Sequence, residues 1–326
     1  MLADRFNRTI SYLRISVTER CNFRCIYCMP AEGTALTPNS GLLSFEEIVR
    51  VARVGTRLGL TKIRFTGGEP TVRRDLPALV SMISEIDGIS EIAMTTNGAR
   101  LTELARPLRQ AGLTRMNISI DTLRPERSRE LTRRDLLPEV LNGIDHAIGV
   151  GFTDMKFNAV VLRGVNDDEL CDLAEFAHER NAQMRFIEYM PMGSARVDER
   201  NRTVGMREML EKLSERFALI RESGDSNDPA RGWKCSRTGV RVGFITSMSD
   251  HFCGSCNRMR LTAEGGLRPC LHQNAEVDLK SLLRGGGDDH DLEDAFRRAA
   301  GLKWSGHKMN AFVPIYSSKN MQQIGG

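Results

Sequence analysis

This chain of 326 residues predicts an α/β fold: a partial (β/α)6 barrel of the TIM type, with a smaller C-terminal domain covering its opening. Three observations predict it. Strand-like apolar runs alternate with segments of helical periodicity through the first two-thirds of the chain. Such repeated βα units imply a parallel sheet with helices outside it. The alternation gives six units, short of the eight that close a barrel, and the chain after about Trp233 loses the rhythm.

The elements follow in order. "YLRISVT" is a short β-branched strand. "SFEEIVRVARVGTRLG" has apolar residues at helical spacing, and Ser44 with Glu47 forms a capping box. "TKIRFTGGEP" is a strand ending in a glycine turn. "DLPALVSMISEI" reads as helix, "EIAMTTNG" as strand, and "LTELARPLRQAG" as helix despite Pro107. The strands "RMNISID", "MKFNAVVLRG" and "AQMRFIEYMPM" are followed by the helices "PEVLNGIDHAIGVG", "DDELCDLAEFAHERN" and "VGMREMLEKLSERFALI". The polar stretch Glu222 to Gly232 reads as a connection, so that residues 1–232 form the barrel and 233–326 the second domain. Functional residues of such a barrel gather where its strands end.

Composition is that of a globular enzyme, with 40% hydrophobic and 27% charged residues. No apolar run approaches the ~20 residues needed to span a bilayer, and the N-terminus has no basic-then-apolar signal pattern. A cytoplasmic protein without a membrane partner is expected. The net charge of +4 is mixed along the chain. A nucleic-acid binder would more often carry a run or stripe of Lys and Arg; a small anion in a locally basic pocket fits as well, and composition alone does not choose between them.

Eight cysteines are many for a reducing compartment, where clusters signal metal or redox chemistry. "CNFRCIYC" places Cys21, Cys25 and Cys28 as C-x3-C-x2-C, one ligand short of a closed zinc site. A four-iron cluster held by three thiolates leaves one iron open to a substrate or cofactor, although a zinc knuckle is also compatible. "HFCGSCNRMRLTAEGGLRPCLH" places Cys253, Cys256 and Cys270 as C-x2-C-x13-C. Zinc with His251 or His272 as fourth ligand is the plain alternative there. Cys171 lies in a helical pattern and reads as a packing residue, and Cys235 is read as loop and given no role.

The first motif, placed after the first strand, with "TGGEP" after the second, resembles the signature of the radical S-adenosylmethionine (SAM) superfamily. Taken with the second cysteine group, the chain resembles the molybdenum cofactor biosynthesis protein A (MoaA, GTP 3′,8-cyclase) family along nearly its whole length. The matching motifs are Leu13 to Pro30, Lys62 to Leu76, Met94 to Gly98, Asn117 to Leu123, Lys156 to Asp167, Arg185 to Gly193, Phe252 to Gly265 and the terminal Ile324 to Gly326.

The resemblance implies two 4Fe–4S clusters, one on Cys21, Cys25 and Cys28 that cleaves SAM and one on Cys253, Cys256 and Cys270 whose open iron binds guanine. It implies GTP contacts from Arg14, Arg64, Thr95 and Lys156, with Arg185, Arg258 and Arg260 lining the same cavity, and SAM contacts from Tyr27, Gly68, Ser119 and Met190. Gly67 and Gly68 are expected to admit a ligand to the backbone, and Glu69 to accept from an ammonium. If Arg258 and Arg260 lie on a strand, alternation puts both on one face. Gly325 and Gly326 would otherwise be a frayed tail; the resemblance implies that they reach the active site and are needed for turnover, with Arg14. The implied reaction takes hydrogen from C3′ of GTP, joins C3′ to C8 of guanine and yields a 3′,8-cyclised dihydro-GTP, a precursor of the pterin of molybdenum cofactor. A homodimer and a downstream cyclic pyranopterin phosphate synthase are implied partners; the reductant is not legible. The rival readings are another radical SAM enzyme with an auxiliary cluster and a non-catalytic iron–sulfur carrier.

Overall fold

The computed structural model describes residues 1–192, 202–223, 228–307 and 319–325. The six expected βα units are present. They comprise β1 (Tyr12–Ser16), α1 (Phe45–Arg57), β2 (Lys62–Thr66), α2 (Leu76–Ser84), β3 (Glu91–Thr96), α3 (Leu101–Gln110) and β4 (Arg115–Ser119). Next come α4 (Pro125–Thr132), α5 (Leu137–Gly149), β5 (Lys156–Val161), α6 (Leu170–Glu179), β6 (Gln183–Glu188) and α7 (Met206–Ser214). The Ser44 and Glu47 capping box is formed as expected. Helix α4 is an addition to the sequence reading: Pro125 at its first turn sets φ for a helix start, but its eight residues carry little apolar periodicity.

The remaining chain contributes β7 (Leu219–Arg221), β8 (Ala230–Cys235), β9 (Arg241–Ile245), β10 (Arg258–Leu261), β11 (Gly266–Arg268), β12 (Val277–Asp278), α8 (Leu279–Arg284) and α9 (Asp289–Gly301). These strands extend the barrel sheet at both edges. The order is β12-β11-β10-β1-β2-β3-β4-β5-β6-β9-β8-β7, with β10 parallel to β1 and β9 parallel to β6. Eight described strands therefore run parallel where the sequence announced six. Strands β9 and β10 are short and separated by an irregular stretch, so periodicity alone did not expose them. Cys235, read as loop, ends β8 and is fully buried, and Cys171 is half-buried against the core on α6.

Alternation along the parallel strands decides where the cavity lies. Leu13 and Ile15, Ile63 and Phe65, Met116 and Ile118, Met184 and Phe186, Met259 and Leu261 are buried on the outer face under the helices. Each such side chain contributes ~1.5–3 kcal/mol on burial. The intervening positions, period two away, are polar or charged and face inward: Tyr12, Arg14, Lys62, Arg64, Arg115, Asn117, Lys156, Asn158, Arg185, Arg258 and Arg260 all line one cavity. The register stacks them, with Arg14 opposite both Arg64 and Arg260.

The segment from Thr246 to Asn257 joins β9 to β10, the outermost of the eight parallel strands on either side. Buried Glu188 at the end of β6 fixes its start. The carboxylate accepts from Met248 N and Ser249 N, both at 2.8 Å, and from Met206 N at 2.9 Å.

Candidate active site

The cavity has a volume of about 440 Å³. Its ends are set by topology. The first cysteine group follows β1, at the C-terminal end of the strands. Cys253 and Cys256 precede β10, which is parallel to β1, and Cys270 follows β11, which is antiparallel to β10. The second group therefore lies at the N-terminal end of the strands. All six thiols line the same cavity, with the inward cations between them.

At the C-terminal end, the cysteine loop sits on α4: Arg24 N donates to Thr132 O and Ile26 N to Leu131 O, both at 2.9 Å. A turn folds the motif on itself, with Cys28 N donating to Cys25 O at 2.9 Å. Burial raises all three thiols. Cys21 is pushed up to about 12, with Glu69 adding to the effect, and Cys28 also to about 12, with Asp121 adding. Cys25 is raised well above its ordinary value by burial, Asp121 and the two neighbouring thiols. Three mutually opposed thiolates can persist here only with a cationic group among them, which fits a metal cluster.

The glycine turn lines the cavity, and it also packs against the protein's own backbone. A Cβ on Gly67 would lie 2.4 Å from Thr18 O, and one on Gly68 2.4 Å from Arg20 O. What approaches the glycines is the chain leading into the cysteine loop. It is paired with the turn through Gly68 N to Thr18 O and Glu69 N to Arg20 O, both at 2.8 Å. Glu69 is likewise largely committed to the protein. Its carboxylate accepts from Thr71 N (3.0 Å), Thr71 Oγ1 (2.6 Å), Thr96 Oγ1 (2.7 Å) and Asn97 N (2.7 Å). Glu69 lines the cavity as well. Tyr27, Ser119 and Met190 line the cavity as expected. The Tyr27 hydroxyl donates to Asp121 at 2.7 Å, and burial raises Asp121 to about 6.

In the middle of the cavity, Arg64 donates to the Tyr12 hydroxyl, to Met94 O at 3.2 Å and to Thr95 Oγ1 at 3.4 Å. Burial holds Arg14 well below the usual guanidinium value, and Arg260 beside it lowers it further. Arg260 falls to about 10 through burial and the neighbouring Arg258. Lys156 falls to about 8 through burial and Arg185. So many cations in one cavity call for an anion. Arg258 Nε and Nη2 are buried without a hydrogen-bond partner among the described residues, donors held ready for an acceptor.

Asp228, which sequence reasoning passed over as linker, faces two of these cations. Its carboxylate is 2.6 Å from Arg185 and 3.6 Å from Lys156. Arg115, Asn117, Asn158 and Lys62 were missed as well. The signal that marks them is the inverted alternation, polar inward and apolar outward, repeated on most of the parallel strands of the first two-thirds.

The C-terminal tail enters the cavity. Gln322 lines it, Arg14 Nη2 donates to Gly325 O at 3.2 Å, and Arg260 Nη1 donates to Gly325 O and to Ile324 O (3.3 Å). Gly325 has φ +67°, and a Cβ there would lie 2.4 Å from Thr66 Oγ1; glycine is required on both counts. Gly326 lies outside the described residues.

At the N-terminal end, burial raises Cys253. Cys256 is lowered on balance: burial pushes it up, and Lys303 and Arg258 more than offset that. The rings of His251 and His272 pack on His307, at 4.8 and 4.2 Å between centroids. Among the described residues, no three Cys, His, Asp or Glu side chains converge as ligands of a single ion. No described helix is long and apolar enough to cross a membrane.

Comparison with known proteins agrees with this geometry. The Radical SAM superfamily model matches residues 15–177, and the Molybdenum Cofactor Synthesis C model matches residues 182–309. The chain is 45% identical to the GTP 3′,8-cyclase of Ectopseudomonas mendocina, over 100% of this chain and 98% of that one. It is 44% identical to that of Moorella thermoacetica and 42% to that of Syntrophomonas wolfei, each over the full length of both chains. Among solved structures, Streptococcus suis SuiB bound to S-adenosylmethionine superposes with a TM-score of 0.61 over 89% of this chain and 68% of that one, at 17% identity; this supports the fold alone. Radical SAM membership implies a 4Fe–4S cluster and SAM. The thiols, the polar barrel interior and the full-length relatives lead to one conclusion: the chain belongs to the GTP 3′,8-cyclase family of the radical SAM superfamily.

Proposed function

We propose that this protein converts GTP to its 3′,8-cyclised dihydro form within the cavity described above. The observation that carries the reading is one cavity with a three-thiol group at each end and cations between. Cys21, Cys25 and Cys28 would hold the cluster that meets SAM, and Cys253, Cys256 and Cys270 a second 4Fe–4S cluster. When bound, the first cluster and SAM supply the 5′-deoxyadenosyl radical that takes hydrogen from C3′.

The chain's own residues do the rest. Tyr27, Gly68, Ser119 and Met190 flank the SAM side, with Gly67 and Gly68 fixing the cysteine loop against β2. Arg64, Thr95, Lys156 and Arg185 face the centre, where an anionic triphosphate would relieve their crowding. Arg258 offers two unpartnered donors beside the second cysteine group. Arg14 and Arg260 hold the Gly325 carbonyl, so the tail narrows the cavity, excludes water and sets C3′ against C8. Orientation of this kind is worth several orders of magnitude in rate. We further infer a homodimer, a pterin-forming enzyme that consumes the product, and the division of the chain near residue 232.

Calorimetric titration of GTP into the anaerobically reconstituted protein tests the substrate assignment. One site per chain, weakened in Arg64→Ala, is expected. Heat from SAM but none from GTP would leave a radical SAM enzyme with another substrate.

A further inference from the structure

The second cysteine group is built around a lysine that no sequence motif singles out. Lys303 follows α9 and is only 2% exposed. An ammonium has three N–H donors, and three acceptors meet this one: Arg258 O at 2.7 Å, Pro269 O at 2.8 Å and Cys256 Sγ at 3.6 Å. The two carbonyls belong to residues that flank the cysteines, Arg258 two positions after Cys256 and Pro269 just before Cys270. Among the described residues no carboxylate pairs with it within ion-pair distance. Burying an ammonium without a counter-charge is strongly unfavourable, so the sulfur group has to supply that charge.

The lysine is also held rigidly. Its N–H donates to Ala300 O at 3.1 Å, at the end of α9. The Gln273 amide bridges the residues on either side of it, donating to Leu302 O at 2.9 Å and accepting from Trp304 N at 3.2 Å. Arg8 ties Cys253 O (2.6 Å) to Ser305 O (3.0 Å). Ligand loop and lysine thus share one frame.

We propose that Lys303 sets the reduction potential of the cluster at Cys253, Cys256 and Cys270, by placing a fixed positive charge and a sulfur hydrogen bond at Cys256. The inference rests on reading that group as a cluster site. One electron passes to the cluster from an external reductant such as dithionite. No covalent bond forms or breaks. A cation and a donor at the sulfur stabilise the more negative, reduced state.

The test is an anaerobic redox titration of the full-length reconstituted protein, followed by electron paramagnetic resonance. Cys25→Ala and Cys256→Ala assign the two signals. Lys303→Met is expected to keep its iron and to lower the reduced-to-oxidised ratio of the second cluster about tenfold at a fixed potential, a ~59 mV more negative midpoint for one electron. The first cluster stays unmoved, and Lys303→Arg stays near the parent. An unshifted midpoint in iron-replete Lys303→Met overturns the proposal. If that variant loses the second cluster, Lys303→Gln, which keeps a donor without the charge, decides by the same shift. Loss of iron in both overturns potential-setting in favour of a structural tether. Unchanged iron content in Cys256→Ala overturns the cluster reading itself, and this inference with it.

Discussion

At one end of the cavity, Cys21, Cys25 and Cys28 share their surroundings with Glu69 and Asp121; at the other, Cys256 shares its surroundings with Lys303 and Arg258. Both groups are three thiols in a buried setting, yet only at the second is a thiol lowered. An acidic, desolvated setting opposes further negative charge, so the cluster proposed there would be hard to reduce and a strong donor once reduced. A cationic setting favours negative charge and draws in anions. The difference teaches that the spacing of cysteines marks two sites while the charge around them differs; under the proposed function the first end would deliver the electron, and the middle and the other end would retain the anionic substrate.

The sharpest way to break this comparison is to remove one thiol from each group. Cys25→Ala should abolish 5′-deoxyadenosine, and Cys256→Ala should leave SAM cleavage measurable while eliminating the cyclised nucleotide. Each loss should exceed the ~100-fold typical of an outer-shell partner. Equal loss of 5′-deoxyadenosine in both variants would remove the division of labour. Next in size is Gly325→Ala. Its methyl would meet Thr66 Oγ1 at a left-handed backbone position, so cyclisation should fall ~100-fold, as for other small misplacements, with iron content and melting temperature preserved.

How much of this was legible beforehand differs between the same two regions. The first cysteine group, its loop and the six βα units were readable because strand and helix periods are long and the motif is compact. Helix α4 beneath the loop was not, since it lacks an apolar stripe, and the protein contacts of Gly67 and Glu69 were hidden because some of what packs on them is distant in sequence. At the second region the cysteines and the Arg258 and Arg260 pair were readable. Lys303 was not, because its meaning comes from two carbonyls and a sulfur 34 to 47 positions away. Asp228 was hidden for the same reason. The inverted alternation that lines the barrel was present in most of the parallel strands, but it reads as function only once the strands are known to surround a cavity.

Two smaller effects sharpen the account of the middle region. Lys156, at about 8 in the free protein, binds an anion only as the ammonium. GTP affinity should therefore be steady below pH 8 and fall as pH rises through it, by at most ~tenfold per unit for one proton, with Lys156→Arg flattening the profile. A pH-independent affinity in the parent protein would take Lys156 off the phosphates. Asp228 stands where it would compete with a triphosphate for Arg185 and Lys156. Asp228→Asn should lower KM for GTP about fivefold, the equivalent of one partly exposed ion pair at ~1 kcal/mol. A raised KM would show instead that the carboxylate orients the two cations.

The most direct test of the central claim is an anaerobic incubation of reconstituted protein with dithionite, SAM and GTP deuterated at C3′, followed by mass spectrometry. The account predicts deuterium in 5′-deoxyadenosine, formed only when GTP is present, together with a cyclised nucleotide isomeric with GTP. Unlabelled 5′-deoxyadenosine with intact clusters, or 5′-deoxyadenosine without the nucleotide product, would contradict it.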